Sequence, residues 1–109
     1  MMMMMMLDHE ANANTSLHKD GSSPLYLAAQ YGHTEIVKLL LNHKAEVNAS
    51  RHTDLDTPLH AAARNGHTEL VKLLVNNNAS TNATCRPHDD KPIDVAQQNH
   101  HLDIVKLLQ

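Results

Sequence analysis

The apolar residues of the chain fall in short blocks that have the spacing of α-helices. In residues 70–74, leucine and valine stand at positions i, i+1, i+3 and i+4, which form one stripe on a helix. Residues 59–63 combine leucine with alanine and predict a helix whose narrow face allows close packing. Thr57 followed by Pro58 is typical of the start of that helix, and Gly66 is typical of its end.

This pattern of two helices and a polar loop recurs every 34 residues, which places Pro24, Pro58 and Pro92 in register. Residues 18–50 and 52–84 are identical at more than half of their positions. Repetition at such a period is the mark of an array in which each unit stacks on the next. Helices this short cannot bury their own apolar faces, so the stacking between units must supply the core.

The repeat divides the chain into four predicted segments. Residues 1–17 hold a partial unit with a run of six methionines, residues 18–51 and 52–85 hold two full units, and residues 86–109 hold a truncated third unit. The methionines have two interpretations that stay open. They form a helix that covers the first unit, or they are a leader without a structural role.

The repeated segments resemble the ankyrin repeat. Residues 20–29 and 32–41 follow the family's D-G-x-T-P-L-H-x-A-A and G-H-x-E-I-V-K-L-L-L segments, and residues 57–67 repeat much of both. The resemblance covers residues 7–109. It implies an all-α solenoid of antiparallel helix pairs joined by short β-hairpin loops.

Several residues depart from the family pattern. Tyr26 and Asp94 stand where the pattern has the histidine of T-P-L-H. Leu55 and His100 stand where it has glycine, one in the hairpin turn and one at the end of the inner helix. A side chain at such a position is expected to hold a left-handed backbone at a cost of about 1 kcal/mol.

Composition narrows the classes of function. Nine basic residues against twelve acidic ones give a net charge of -3, so the chain lacks the basic field that nucleic acids and anionic membranes attract. The apolar stretches are too short to cross a bilayer. Cys85 is the single cysteine, which favours a reducing compartment and predicts a cytoplasmic location. A core without phenylalanine or tryptophan suits a stack of leucine and alanine layers.

Ten histidines suggest a metal-binding or pH-responsive protein as one alternative. Against it, His33, His67 and His101 share one position of the repeat, where the resemblance implies bonds to backbone and neighbouring loops. The pair Cys85 and His88 supplies only half of a four-ligand zinc site. No arrangement of nucleophile and base is evident, so the sequence predicts no enzyme, no cofactor and no metal.

The resemblance implies protein binding through the hairpin tips and the exposed side of the inner helices. The residues that match the family's variable positions are Lys19, Asp20, Ser22, Gln30, Tyr31, Thr53, Asp54, Asp56, Arg64, Asn65, His88, Asp89, Asp90, Gln98 and Asn99. Tyr31 and Arg64 are the expected anchors, because aromatic and arginine side chains dominate binding energy. The aspartates predict a partner with a basic face. A second alternative is a spacer cut from a longer array.

The C-terminal end carries a further expectation. No polar capping helix follows the third unit in this sequence, and repeat arrays normally need capped ends. We therefore expect self-association through Leu107 and Leu108, or a melting temperature below about 65 °C, the upper end of the ordinary range.

Overall fold

The computed structural model describes residues 19–109, so the methionine run and its two interpretations lie outside the described residues. Six α-helices lie within this part of the chain. Their bounds are α1 Pro24–Gln30, α2 Thr34–Asn42, α3 Pro58–Arg64, α4 Thr68–Asn76, α5 Pro92–Gln98 and α6 Leu102–Leu108. We call α1 and α2 repeat 1, α3 and α4 repeat 2, and α5 and α6 repeat 3. The unit bounds given above stay predictions.

The inner helices α1, α3 and α5 begin as their sequences predict. Each has proline in its first turn, where the missing N–H leaves no bond unmade. Before α1, the Ser23 hydroxyl accepts the Tyr26 backbone N–H at 3.1 Å. Before α3, the Thr57 hydroxyl accepts the His60 backbone N–H at 3.2 Å. These bonds satisfy donors that a helix start would otherwise leave unpaired.

The inner helices end in left-handed backbone. Gly32 and Gly66 have φ of +73° and +74°, and His100 holds the same position of repeat 3 at φ +61°. Leu55 also has positive φ, at 61°. The departures from the family's glycines therefore change the residue and leave the local backbone conformation in place.

The helices form two rows. The inner helices pack against one another in the order α1, α3, α5, and each inner helix also packs against the outer helix of its own repeat. The result is elongated, with extents of 40 × 26 × 20 Å. One continuous core runs between the rows, built from leucine, valine, isoleucine and alanine. This confirms the expected all-α stack.

The loops between repeats contain only one or two backbone hydrogen bonds of a hairpin. Cys85 and Asp90 form one antiparallel bridge, with N–H to O distances of 2.9 and 3.1 Å. In the preceding loop, the Arg51 N–H donates to the Asp56 carbonyl at 2.9 Å. Within residues 19–109 no strand extends beyond such a bridge.

Histidines join each repeat to the one before it. His67 Nε2 lies 3.1 Å from the Gln30 carbonyl oxygen, and His101 makes the same contact to the end of α3 at 3.0 Å. The two rings lie over Gly32 and Gly66, where an added Cβ would come within 2.8 and 2.7 Å of a ring atom. The expected bonds of these histidines to neighbouring backbone are therefore confirmed, and the glycines are required for close approach as well as for their φ.

Candidate functional site

The ends of the inner helices and the loops between repeats carry most of the predicted binding residues. The largest exposed side chain there is Tyr31, which follows α1 and is 65% exposed. Its ring centroid lies 6.2 Å from that of His33. The structure thus leaves one of the two expected anchors accessible.

Two asparagines occupy the position of Tyr31 in the later repeats. The Asn65 amide donates to the Ala61 carbonyl at 3.0 Å and to the Gln30 carbonyl at 3.3 Å. The Asn99 amide donates to the Val95 carbonyl of its own helix at 2.9 Å. Both side chains remain exposed while their amides are held in place.

Two of the predicted binding residues are buried, which corrects that part of the sequence analysis. Ser22 is 1% exposed, and its hydroxyl donates to an Asp20 carboxylate oxygen at 2.7 Å. Asp56 is 0% exposed and is not a residue of a solvated hairpin tip. Their polar atoms serve contacts within the stack.

Asp56 is the centre of a buried hydrogen-bonded network. Arg64 donates to both of its carboxylate oxygens, at 2.8 and 2.7 Å, and the Tyr26 hydroxyl donates to one of them at 2.6 Å. Burial alone would raise the pKa of Asp56, but the bonds from Arg64 and Tyr26 outweigh it, so the pKa lies below its ordinary value. The bond to Asp56 raises the pKa of Arg64, and burial raises that of Tyr26.

Arg51 occupies the other side of Tyr26. Its guanidinium lies 4.9 Å from the centre of the Tyr26 ring, within the range of a cation–π contact. The same guanidinium pairs with Asp54 and lies 3.5 Å from an Asp20 carboxylate oxygen. Three of the predicted aspartates, Asp20, Asp54 and Asp56, therefore face arginines of this chain.

His60 stands at the position of Tyr26 one repeat later and is fully buried. Its Nδ1 accepts the Thr57 N–H at 3.2 Å, so its proton lies on Nε2, which is 2.8 Å from the Asp90 carbonyl oxygen. Burial lowers the pKa of His60, which keeps the ring neutral. The ring thus joins α3 to the loop that precedes α5, residues 77–91, which we call the loop of repeat 3.

The arrangement brings Asp56, His60 and Cys85 together, with one potential ligand atom from each within 4.8 Å of the others. Their polar atoms are already used by Arg64, Tyr26, Thr57 and the Asp90 carbonyl, and burial raises the pKa of the Cys85 thiol to about 11. A metal ion would have to displace Arg64 and ionise that thiol. The geometry therefore fits a structural hydrogen-bonded network. His88, paired with Cys85 in the sequence analysis, is exposed in the loop outside this group.

The other predicted residues lie at the surface to different degrees. Those exposed are Lys19, Thr53, His88, Asp89 and Gln98, and those half-buried are Asp20, Gln30, Asp54, Arg64 and Asp90.

A family model described as ankyrin repeats (many copies) matches residues 26–75 and again residues 59–109. The chain belongs to the ankyrin-repeat family. The two matches overlap because each spans more than one repeat of this ankyrin stack. A search of curated proteins found no match to the chain. Among the described helices, none combines the length and the apolar character that crossing a membrane requires.

Proposed function

We propose that this ankyrin-repeat chain is a non-catalytic module that binds another protein through its loops and the exposed ends of its inner helices. Ankyrin repeats generally act as protein–protein interaction modules. The observation that carries the proposal is Tyr31, a large aromatic side chain left accessible at the end of α1. Exposed aromatic residues contribute strongly to binding energy when a partner covers them.

The backbone beside Tyr31 is held in place before any partner arrives. The Gln30 carbonyl, one residue earlier, receives the Asn65 amide and lies against His67 Nε2. A surface that is already ordered loses little conformational entropy when it binds. This supports a binding surface that spans the ends of α1 and α3.

The predicted contact with a basic face of the partner is restricted here to one loop. Asp20, Asp54 and Asp56 face Arg51 or Arg64, so much of their charge is neutralised within the chain. The loop of repeat 3 carries Asp89 and Asp90. We therefore propose that any basic group of the partner contacts that loop, and that apolar contact is centred on Tyr31.

Arg64 changes role in this proposal. Both of its terminal nitrogens bond to Asp56, so its proposed role is to neutralise that buried carboxylate beneath the binding surface. A partner would gain little from a guanidinium whose donors already face a carboxylate. Tyr31 is thus the proposed anchor, and Asn65 is its polar neighbour.

A cytoplasmic location also stays a proposal. Its support is the absence of a second cysteine in the sequence and the buried, protonated thiol of Cys85, which suits a reducing compartment. The histidine-rich metal or pH-responsive alternative is not favoured, because His60, His67 and His101 are used for contacts between repeats.

Site-specific cross-linking tests the proposal. A photoreactive amino acid is placed at residue 31 and, as the control, at residue 75, since Val75 is exposed on the outer helix α4. Exposed to cell extract, the residue-31 protein is expected to form a discrete cross-linked product that the residue-75 protein does not form. The captured protein is then purified, and its affinity for the unlabelled chain is measured by calorimetry.

In that titration, Tyr31→Ala is expected to weaken binding by about tenfold or more, the size of an anchor residue's contribution. Val75→Ala is expected to leave the affinity unchanged. Equal losses from the two variants would show that Tyr31 is not the anchor, and cross-links that form only at residue 75 would place the partner on the outer helices. Either result would contradict the proposal.

A further inference from the structure

The three inner helices differ on the face that points toward a following repeat. In repeats 1 and 2 this face is covered by the next repeat. In repeat 3 the equivalent positions carry polar side chains, at Asp94, Gln97 and His100. Each of the three differs from its counterparts in a way that opposes further stacking.

The His100 side chain lies where the histidine ring of a following repeat would pack. At the equivalent glycines, Gly32 and Gly66, the histidine of the next repeat lies so close that an added Cβ would approach it within 2.8 and 2.7 Å. His100 has the same left-handed backbone but carries a Cβ and an imidazole. A histidine from a further repeat would collide with that side chain.

Asp94 has a shorter side chain than Tyr26 and His60, which stand at the same position of repeats 1 and 2. Tyr26 extends to the Asp56 carboxylate of repeat 2, and His60 extends to the Asp90 carbonyl of repeat 3. The Asp94 carboxylate instead accepts the Lys91 N–H of its own repeat at 2.9 Å. His60 also accepts the N–H at the start of its own helix, but its second ring nitrogen reaches across the junction, and the shorter side chain of Asp94 has no atom at that distance.

Gln97 places an amide where the first two repeats have alanine. Ala29 and Ala63 are both 0% exposed, whereas Gln97 is exposed. Because the backbone positions are equivalent, this difference comes from the neighbouring repeat that covers the alanines. Covering Gln97 in the same way would bury an amide and force a longer side chain into an alanine-sized space.

We propose that this face of repeat 3 is a water-facing end that does not accept a further repeat of this pattern, whatever sequence follows Gln109. Asp94 and Gln97 of α5, together with His100, make this face unsuitable for stacking, so no separate capping helix is needed there. The proposal reverses the sequence-based expectation of self-association through Leu107 and Leu108. It also disfavours the spacer alternative, which needs this face to accept a neighbour.

Appending a fourth repeat tests the proposal. A second copy of residues 76–109 is fused after Gln109, which continues the register because Gln109 aligns with Val75. The fusion is made to the full chain and to a full chain carrying Asp94→His, Gln97→Ala and His100→Gly, which restores the residues of repeat 2. A fusion with His100→Gly alone removes the steric block and makes the fewest changes. The same variants without the added copy serve as controls for folding.

The measurements are backbone hydrogen exchange in the added copy and the urea m-value, which increases with the surface exposed on unfolding. In the triple variant, the added copy is expected to be protected and the m-value to rise by about a third, as three repeats become four. In the fusion to the unchanged chain, we expect no protection of the added copy and no rise in the m-value. Partial protection is expected for His100→Gly.

Two results would overturn the proposal. If the added copy is protected on the unchanged chain, the face accepts a repeat after all. If it is unprotected on the triple variant as well, while that variant without the copy folds normally, the three residues do not decide what stacks there.

Discussion

Repeats 2 and 3 place the same sequence positions in opposite surroundings. Asp56 and Asp90 are equivalent aspartates, yet Asp56 is fully buried and Asp90 is half-buried. Repeat 2 supplies Arg64 as the charge partner of Asp56, and repeat 3 has Gln98 at the position of Arg64. The comparison teaches that the residues placed around this aspartate, above all the one at the position of Arg64, decide whether it is buried in the stack or partly open to water.

The same contrast runs through the apolar positions. Ala63 is sealed beneath repeat 3, and its counterpart Gln97 is open to water. On our proposal, repeat 2 accepts a neighbour on both sides, and repeat 3 accepts one only on the side of repeat 2. Substitutions at matched positions should therefore have unequal effects, and each prediction below compares one such pair.

The largest expected difference is between Ala63→Gln and Gln97→Ala. Ala63→Gln forces a longer side chain and an unpaired amide into a filled site, which is expected to cost about 3–4 kcal/mol of unfolding free energy. Gln97→Ala is expected to change stability little, because the site is exposed. Urea unfolding followed by circular dichroism measures both. Similar losses from the two changes would show that both sites are equally covered.

Next in size is the pair Arg64→Ala and Gln98→Ala. Removing Arg64 leaves the buried Asp56 carboxylate without its charge partner, which is expected to cost about 3 kcal/mol. Gln98→Ala changes an exposed side chain and is expected to have little effect on the same unfolding curve. A further variant, Asp56→Ala, should cost less than Arg64→Ala, since the Arg64 side chain is 37% exposed and can turn to water. Equal effects at positions 64 and 98 would remove the distinction between the repeats.

A smaller effect is expected at the ends of the inner helices. Gly66→Ala puts a Cβ 2.7 Å from the His101 ring in a left-handed backbone, and we expect a loss of about 2 kcal/mol. His100→Gly relieves a side chain from the same backbone conformation, and we expect a gain of about 0.5–1 kcal/mol. Thermal and urea unfolding of the two variants should move in opposite directions. A loss on His100→Gly would mean that the imidazole stabilises repeat 3.

The smallest predicted effect concerns pH. Burial holds the pKa of His60 below its ordinary value of 6.5, so the unfolded chain binds a proton at this residue more readily than the folded chain. Stability contributed by neutral His60 is therefore complete above pH 6.5 and decreases as pH falls below it. We expect the difference in unfolding free energy between the native chain and His60→Gln to shrink between pH 7.5 and pH 5.5. A difference that is constant over that interval would show that His60 titrates alike in both states.

The sequence predicted the helices from local signals and predicted their stacking from the repeat. Thr57 with Pro58 marks a helix start, and Gly66 marks an end, through bonds and backbone angles that involve only a few residues. The contact of His67 and His101 with the previous repeat followed from the family resemblance. For the stacking and for these contacts, the repeat and the resemblance supplied what local signals could not.

The network around Asp56 escaped prediction because its members are far apart in the sequence. The Tyr26 hydroxyl bonds to a residue 30 positions later, and His60 bonds to Asp90, again 30 positions later. That shared separation is the signal that could have identified Asp56 as buried. Without it, an aspartate in a polar loop looks like a surface residue, and Arg64 looks like a free anchor.

The central claim is the proposal that the exposed face of repeat 3 accepts neither a further repeat nor a second copy of the chain. Sedimentation of the full chain from micromolar to millimolar concentration tests it most directly. The account predicts the mass of one chain throughout, even though Leu107 is 41% exposed on α6. A mass that rises with concentration, and that returns to one chain on Leu107→Lys, would show that repeat 3 is a joining surface and would contradict the account.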